Sequence, residues 1–396
     1  MNGTTLSTPQ PHHSLHSSVT KTTSLTFSPI QSLTFRHRTH KRNHSFRIRC
    51  SSSRPPVVVV GSANADVYVE IERLPREGET LAAKSGQTLA GGKGANQATC
   101  AAKLAYPTYF VGQIGDDAYG SLVAAALRGA GVRVDQLSVV ASEPTGHAVV
   151  MLQSNGQNSI IYIGGANVSG WPSALPREHL ELVAQAGIVL LQREIPDPVI
   201  AQVAQAASKA GVPVVLDAGG MEGPFPPQLL NFVDILSPNE TELARITGMP
   251  TESFEEIAQA ALKCHELKNV VAIAVWLSFL LLGKIADNVV GIVVADCRVP
   301  TGVKQVLVKL GEKGSALFVE GEKPIQQSAI LAKKVVDTTG AGDTFTAAFA
   351  VALVEGMSKK ECLRFAAAAA CLCVQVKGAS PSMPDRKSVL DLLNCQ

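Results

Sequence analysis

From Val57 onward the chain alternates short β-branched runs with longer amphipathic ones, and this rhythm is what most restricts its fold. VVVVGSANADVYV and FVGQIG are followed by a helix-like DAYGSLVAAALRGAG; later come IVLLQ, a helical DPVIAQVAQAASKAG, PVVLDA, VDILSPN, a short helix from Glu240, and KQVLVKLG. Near-continuous apolar strands separated by helices predict an α/β, doubly wound, mostly parallel central sheet covered by helices on both faces. Ligands of such sheets collect beyond the strand C-terminal ends, so Gly, Asn and Asp placed there carry functional information. Two stretches break the rhythm: DVYVEIERLPREGETL and HAVVMLQSNGQNSIIYI alternate polar with apolar residues. Strands of that kind bury one face only, which predicts a small second sheet, a lid, at about residues 62–80 and 145–165.

Charge is unevenly distributed. The formal charge is +2, yet the first 50 residues hold seven Lys and Arg and no acid, so the remainder is net acidic. An acidic body lacks the clustered cations that nucleic acid requires, and nucleic-acid binding is set aside. The Ser/Thr-, His- and Arg-rich residues 1–50 have the composition of an organelle transit peptide, a disordered basic tail being the alternative. The expectation is a plastid protein, stromal after cleavage near Cys50. That cleavage would leave only His147, His179 and His265, too few for a His-based metal site or His-dependent catalysis. The eight Cys form no CxxC pair and are read as small buried hydrophobes.

The strongest chemical signal is VDTTGAGDTFTAAFAVAL, Val336–Leu353. A strand is expected to end at Gly340, Ala341 and Gly342, with a helix starting at once. The first N–H groups of that helix, reinforced by its dipole, would make an anion hole suited to phosphate. Asp343 in such a hole is either an acid favoured by the dipole or a general base that takes a hydroxyl proton while the amides stabilise a transferring phosphoryl group. A second cluster, LAGGKGANQATCAAKLA, Leu89–Ala105, combines Gly91, Gly92 and Gly94 with Lys93 and Asn96 at another helix start. Loop flexibility or tight helix packing would also explain its glycines. Asn64 and Asp66, at the end of the first strand, are groups that grip sugar hydroxyls, or simply a turn.

Together, AGGKGANQA, DTTGAGDTF, GSANAD and SPNETE resemble the ribokinase branch of the PfkB carbohydrate kinase family over Pro56–Pro384, with one interruption. The resemblance implies phosphorylation of D-ribose at its 5-hydroxyl by ATP. In the positions that match, Asn64, Asp66, Gly92, Lys93, Gly94, Ala95 and Asn96 would hold the sugar, with Glu194 adding a contact. Asp343 would be the base, and Gly340, Ala341 and Gly342 the anion hole. Asn239 and Glu242 match an NxxE motif that organises Mg²⁺ through water and the phosphates. Lys309, Leu310, Gly311, Glu312, Lys313 and Gly314 match the nucleotide loop, although a plain strand-to-strand turn would look alike. The resemblance also implies activation by K⁺ at Asp337, Thr339, Cys373, Val376, Gly378 and Ser382, and a homodimer formed through the lid. Ala366–Ala370 lacks the His or Asn that packs beside adenine in relatives. Another sugar kinase of the family, such as a fructokinase, and a non-catalytic plastid scaffold are the rival readings.

The interruption is KNVVAIAVWLSFLLLGKIADNVVGIVV, within Lys268–Gly302. Its apolar part, Val270–Leu282, is 13 residues, against about 20 for a bilayer-spanning helix, so no membrane role is expected. It stands where doubly wound folds spend about 2 to 6 residues between helix and strand. These residues read as an insertion foreign to the fold, a genuine variant with an added hairpin or anchor being the alternative.

Overall fold

The computed structural model describes residues 54–154, 158–220, 223–267 and 303–395. The transit peptide read at residues 1–50 and the insertion read at residues 268–302 lie outside the described residues. Nine strands form one sheet: β1 (Val57–Val60), β4 (Thr108–Gly115), β5 (Arg133–Val140), β8 (Ile188–Arg193), β9 (Val214–Gly220), β10 (Ile235–Ser237), β11 (Gln305–Lys309), β12 (Ser315–Val319) and β13 (Ile325–Gln327). Their spatial order is β13-β12-β11-β10-β9-β8-β1-β4-β5. The seven from β5 to β11 are parallel, and β12 and β13 close one edge antiparallel. This is the expected architecture.

β1 shows why its sequence must lie at the centre. All four valines are fully buried, and the two-residue period of a strand divides them between opposite faces. Val57 and Val59 enter a core with helices Lys93–Lys103, Ala118–Gly129, Ala341–Val354 and Lys359–Cys373. Val58 and Val60 enter a second core with helices Arg177–Ala184, Asp197–Ala210, Glu240–Thr247 and Phe254–Glu266. From β1 the chain builds outward to β4 and β5 on one side, then returns to β8 and builds the other way. The crevice beyond β1 and β8 is therefore the switch point where such sheets bind ligands.

The smaller sheet has the order β3-β2-β6-β7, built from β2 (Asn64–Ile71), β3 (Ser85–Gly91), β6 (Gly146–Gln153) and β7 (Asn158–Ile163). Tyr68, Ala148 and Val150 form its buried patch, flanked by Leu89 and Leu152, while Ile160 and Ile161 stay exposed. β3 lies outside the residues read as lid, because its SGQTLAG carries little apolar alternation and runs straight into the glycine cluster. Two further expectations are corrected. Asn64 and Asp66 do not end the first strand: β1 stops at Val60, and both residues open β2. No strand precedes Gly340, since Val335–Thr339 is an extended loop whose Val336 and Asp337 amides both donate to the Val374 carbonyl (2.8 and 3.2 Å). Val335 is 62% exposed; a β-branched pair with no sheet edge to join imitates a strand only in sequence.

Among the described residues, no helix is long and apolar enough to cross a membrane. Cys100, Cys264, Cys362, Cys371 and Cys373 are buried and unbridged, and Cys395 is exposed. Burial pushes the thiols of Cys100 and Cys264 up, Cys264 to about 12, so neither is a nucleophile at neutral pH.

Candidate active site

Helix Ala341–Val354 begins after Gly340, whose φ of 79° is the left-handed conformation that glycine adopts without strain. Of the expected anion-hole amides, Ala341 N–H is partly used, donating to the Thr338 carbonyl at 3.2 Å. Among the described hydrogen bonds, the amides of Gly340, Gly342 and Asp343 have no partner. The helix therefore offers its first-turn donors and dipole at one spot.

Asp343 turns inward from that spot and is 5% exposed. Its Oδ2 accepts from Asn96 Nδ2 at 2.9 Å, and its Oδ1 accepts from Gln97 Nε2 at 3.4 Å. Lys93 Nζ stands 3.6 Å from Oδ1. Burial pushes the Asp343 carboxyl up; Lys93 opposes that rise and Asp217 adds to it. A carboxylate raised in this way is a stronger base toward a hydroxyl proton. Gln97 was not singled out from the sequence. It is fully buried, and its Oε1 in turn accepts from Gln192 Nε2 at 2.7 Å, so a two-glutamine chain from β8 sets the orientation of the acid.

Helix Lys93–Lys103 brings the sugar-site candidates to the same place. Gly92 caps it with a φ of 87°, and Ala95 N–H donates to the Ser62 carbonyl at 2.8 Å, docking the first turn on the β1–β2 loop. Glu194, just after β8, accepts from Ser62 Oγ at 2.5 Å and from Lys93 N–H at 3.0 Å. Asn64 Oδ1 accepts from Asn167 Nδ2 at 2.6 Å, and Asn167 also bonds both backbone groups of Ala63. Asn167 is thus a clamp for the loop that presents Asn64, which nothing nearby in sequence announces. Burial, then the negative charges of Glu194 and Asp343, push Asp66 up to about 7. Lys93 is the counter-ion of the cluster: burial disfavours its charge, but Asp217, Asp343, Glu194 and Glu242 together hold its pKa well above the usual lysine range.

The NxxE pair forms a reciprocal cap on helix Glu240–Thr247. Asn239 Oδ1 accepts from Glu242 N–H at 2.7 Å, and Glu242 Oε2 accepts from Asn239 N–H at 2.8 Å. That alone is a structural reason for the spacing. Glu242 Oε1, however, lies against Gly219 beside Lys93 Nζ, where a Cβ on Gly219 would come within 2.8 and 2.6 Å of the two atoms. The carboxylate therefore both caps the helix and faces the cleft. One such oxygen suits a hard cation held mainly by waters and phosphates and does not make a cage of direct ligands; no cluster of three or more His, Cys, Asp or Glu that could hold a metal occurs among the described residues.

The candidate nucleotide loop is a tight turn between β11 and the antiparallel β12. Gly311–Lys313 form one 3-10 turn, and Leu310 N–H donates to the Gly314 carbonyl at 2.8 Å. Leu310 is buried in the core, and Gly311, Glu312 and Lys313 are exposed. Only Lys309 reaches inward, pairing with Asp217 Oδ2 at 2.8 Å. The cation candidates also converge. Asp337 accepts from Thr339 N–H (2.9 Å) and Gly378 N–H (2.8 Å), and Cys373 Sγ sits 3.1 Å from Ser382 Oγ and 3.9 Å from the Thr339 carbonyl. Val376 adjoins them on an exposed turn. Ala366–Ala369 lie buried against helix Ala341–Val354; small side chains there let the two helices pack closely.

The pattern of the family described as "pfkB family carbohydrate kinase" matches residues 55–274 and 290–386, and so breaks off inside the insertion read from the sequence. The chain is similar to the ribokinase of Arabidopsis thaliana, 66% identical over 341 residues that cover 86% of this chain and 81% of that protein. It is also similar to the ribokinase of Bacillus subtilis, at 34% identity over 85% of this chain and 99% of the other. The solved structure of the Arabidopsis thaliana ribokinase complexed with ribose and ATP superposes with a TM-score of 0.75, covering 86% of this chain and 98% of that one. The ribokinase of Thermotoga maritima, 32% identical over 86% and 99%, superposes with a TM-score of 0.69. With the doubly wound sheet, the second sheet and Asp343 in the first turn of its helix all in place, the chain belongs to the pfkB family of carbohydrate kinases.

Proposed function

We propose that the chain transfers the γ-phosphoryl group of ATP to the 5-hydroxyl of D-ribose, giving ribose 5-phosphate and ADP. The observation that carries this is the convergence of an inward-turned, pKa-raised Asp343 with unpartnered helix amides and a cleft lined by Asn64, Asp66, Lys93, Asn96 and Glu194. Asp343 takes the hydroxyl proton as the ribose oxygen forms its bond to the γ-phosphorus. The bond from that phosphorus to the bridging oxygen breaks, and the charge spread over the phosphoryl oxygens is met by the amides of Gly342 and Asp343. Mg²⁺ is the expected metal, supplying charge neutralisation on the phosphates, with Glu242 Oε1 as the chain's contribution. Turnover of ribose, fructose and adenosine with ATP tests the reading. Ribose is expected to be the preferred acceptor; preference for fructose would move the chain to another sugar kinase of the family, and no turnover with any acceptor would favour a scaffold.

The raised Asp66 carboxyl gives a pH dependence. A sugar hydroxyl donates to the charged form, so binding favours deprotonation, and affinity is present above about pH 7 and lost below it. The KM for ribose is expected to rise toward about tenfold per pH unit as pH falls from 7 to 5.5, and this slope is expected to vanish in Asp66→Asn. A flat KM across that range in the parent enzyme would remove Asp66 from the sugar site.

The converging Asp337, Thr339, Gly378 and Ser382 support K⁺ activation, and replacing potassium by sodium is expected to lower kcat; an unchanged rate would sink it. Exposed Ile160 and Ile161 on β7 support a homodimer through the lid, which sedimentation would contradict by returning a monomer mass. A plastid destination rests on the composition of residues 1–50, and fusion of that segment to a fluorescent protein tests it. The insertion reading gains support from His265 Nδ1, 2.6 Å from the Val303 carbonyl: the two flanks are adjacent, so a direct join closes the chain. The chain lacking Lys268–Gly302 is expected to fold and turn over ribose at least as well as the full chain, and loss of folding in the shortened chain would show that the segment belongs to the enzyme.

A further inference from the structure

Asp217, midway along β9, takes no direct part in the proposed transfer, and it is wholly buried. Its carboxylate bridges two lysines, one at the start of helix Lys93–Lys103 and one at the end of β11. Oδ2 accepts from Lys309 Nζ at 2.8 Å, and Oδ1 stands 3.5 Å from Lys93 Nζ. Thr346 Oγ1, one turn into the helix that carries Asp343, donates to Oδ2 at 3.2 Å, and Gly219 N–H donates to Oδ1 at 3.0 Å. One carboxylate thus ties the glycine cluster, the β11–β12 turn and the anion-hole helix together. Although burial disfavours its charge, the Lys309 and Lys93 ammonium groups keep its carboxyl far below the usual range, so it stays ionised.

Lys309 is held at a particular place. Its Nζ and Cδ lie 3.9 and 3.8 Å from where a Cβ on Gly342 would stand, beside an amide of the anion hole. Lys93 occupies the other side, 3.6 Å from Asp343 Oδ1. We infer that Asp217 is a positioning residue that holds Lys309 and Lys93 on either side of the phosphoryl path, and that Lys309 is the chain's own cation for the γ-phosphate. The inference rests on the ATP-dependent reading above. A charge placed before the reaction needs no reorganisation as negative charge shifts onto the phosphoryl oxygens, which is where fixed cations contribute most. The cost is a buried carboxylate that has no contact with substrate. Removing Asp217 would leave Lys309 without its one described ion pair, whereas Lys93 keeps Asp343, Glu194 and Glu242 around it.

The test compares a non-hydrolysable ATP analogue with ADP by calorimetry on the full chain, then kcat and KM. Lys309→Met alone leaves the buried Asp217 with only the more distant Lys93 ammonium, 3.5 Å away, so the neutral double variant Lys309→Met with Asp217→Asn is the binding probe. It is expected to bind the triphosphate analogue about tenfold more weakly while binding ADP within about twofold of the parent, with kcat about thirtyfold lower; Lys309→Arg is expected to recover most of the loss. Asp217→Asn alone separates positioning from mere support. Lys309 keeps its charge and loses its tether, so kcat is expected to fall about tenfold while the KM for ATP is unchanged or lower. Equal weakening of analogue and ADP in the double variant overturns the Lys309 assignment, and a parallel loss of kcat, ATP affinity and melting temperature in Asp217→Asn overturns the positioning role. The analogue-against-ADP difference is read without sugar turnover, so failure of the parent to phosphorylate ribose would refute the acceptor and leave this test standing.

Discussion

Asp343→Ala is expected to lower kcat by about three orders of magnitude, near the middle of the range for a general base, while the affinity for ribose measured by calorimetry stays within a few-fold of the parent. The fold is expected to survive, for an electrostatic reason. Burial pushes the Asp343 carboxyl up and Asp217 adds to that rise, with Lys93 opposing, so as a structural element the group is a net liability. The melting temperature is therefore expected to hold or to increase, as happens where function is kept at the expense of stability. Lys93 does not become an unpaired buried cation in the variant, because Asp217, Glu194 and Glu242 still surround it. Kinetics and calorimetry on one preparation give the answer: residual kcat within tenfold of the parent would remove Asp343 as the base, and a large fall in melting temperature would show that it holds the fold instead.

The parts of the molecule legible in the sequence are those specified locally. The VVVV of β1 can be satisfied only by burial on both faces, the cap Asn239 announces its helix, and Gly340 with the first-turn acid Asp343 announces the other. Legibility fails where a role depends on a distant partner. Asp217 in LDAGG reads as the polar end of a strand; its importance comes from Lys309, 92 positions away, and no spacing encodes that pairing. Gln97 sits inside a quoted motif yet acquires its meaning from Gln192, 95 positions on. The expected strand before Gly340 failed for the converse reason. Val335 and Val336 have the right side chains for a strand, but the sheet ends at β13, and the amides of Val336 and Asp337 are spent on the Val374 carbonyl at the end of helix Lys359–Cys373. β3 was hidden because its last residue, Gly91, is glycine for a tertiary reason: a Cβ there would stand 2.0 Å from Asp66 Oδ2.

Gly94→Ala is expected to cost a hundredfold or more in kcat/KM, although alanine is the better helix former by about 1 kcal/mol. Gly94 lies in the first turn of helix Lys93–Lys103, and a Cβ there would meet Ser62 N at 2.7 Å, Gly61 C at 2.8 Å and the Ser62 carbonyl oxygen at 2.8 Å. All three are backbone atoms, so no side chain can rotate away, and the helix must move off the β1–β2 loop by several tenths of an ångström or more. The same loop leads directly into Asn64 and Asp66 at the start of β2, and the same helix turn carries Lys93 and Asn96, so the shift opens the cleft between the sugar contacts and the groups that orient Asp343. A displacement approaching 1 Å in a positioned group costs about 10² in rate. Both kcat and the ribose KM are expected to suffer, unlike Asp343→Ala, where kcat alone does. Gly129→Ala is the control, since nothing lies within 4 Å of a Cβ at that helical position, and it is expected to leave both constants unchanged. If Gly94→Ala behaves like Gly129→Ala, the docking of helix on loop is not what sets the site, and the glycines of that cluster serve only the flexibility of the turn.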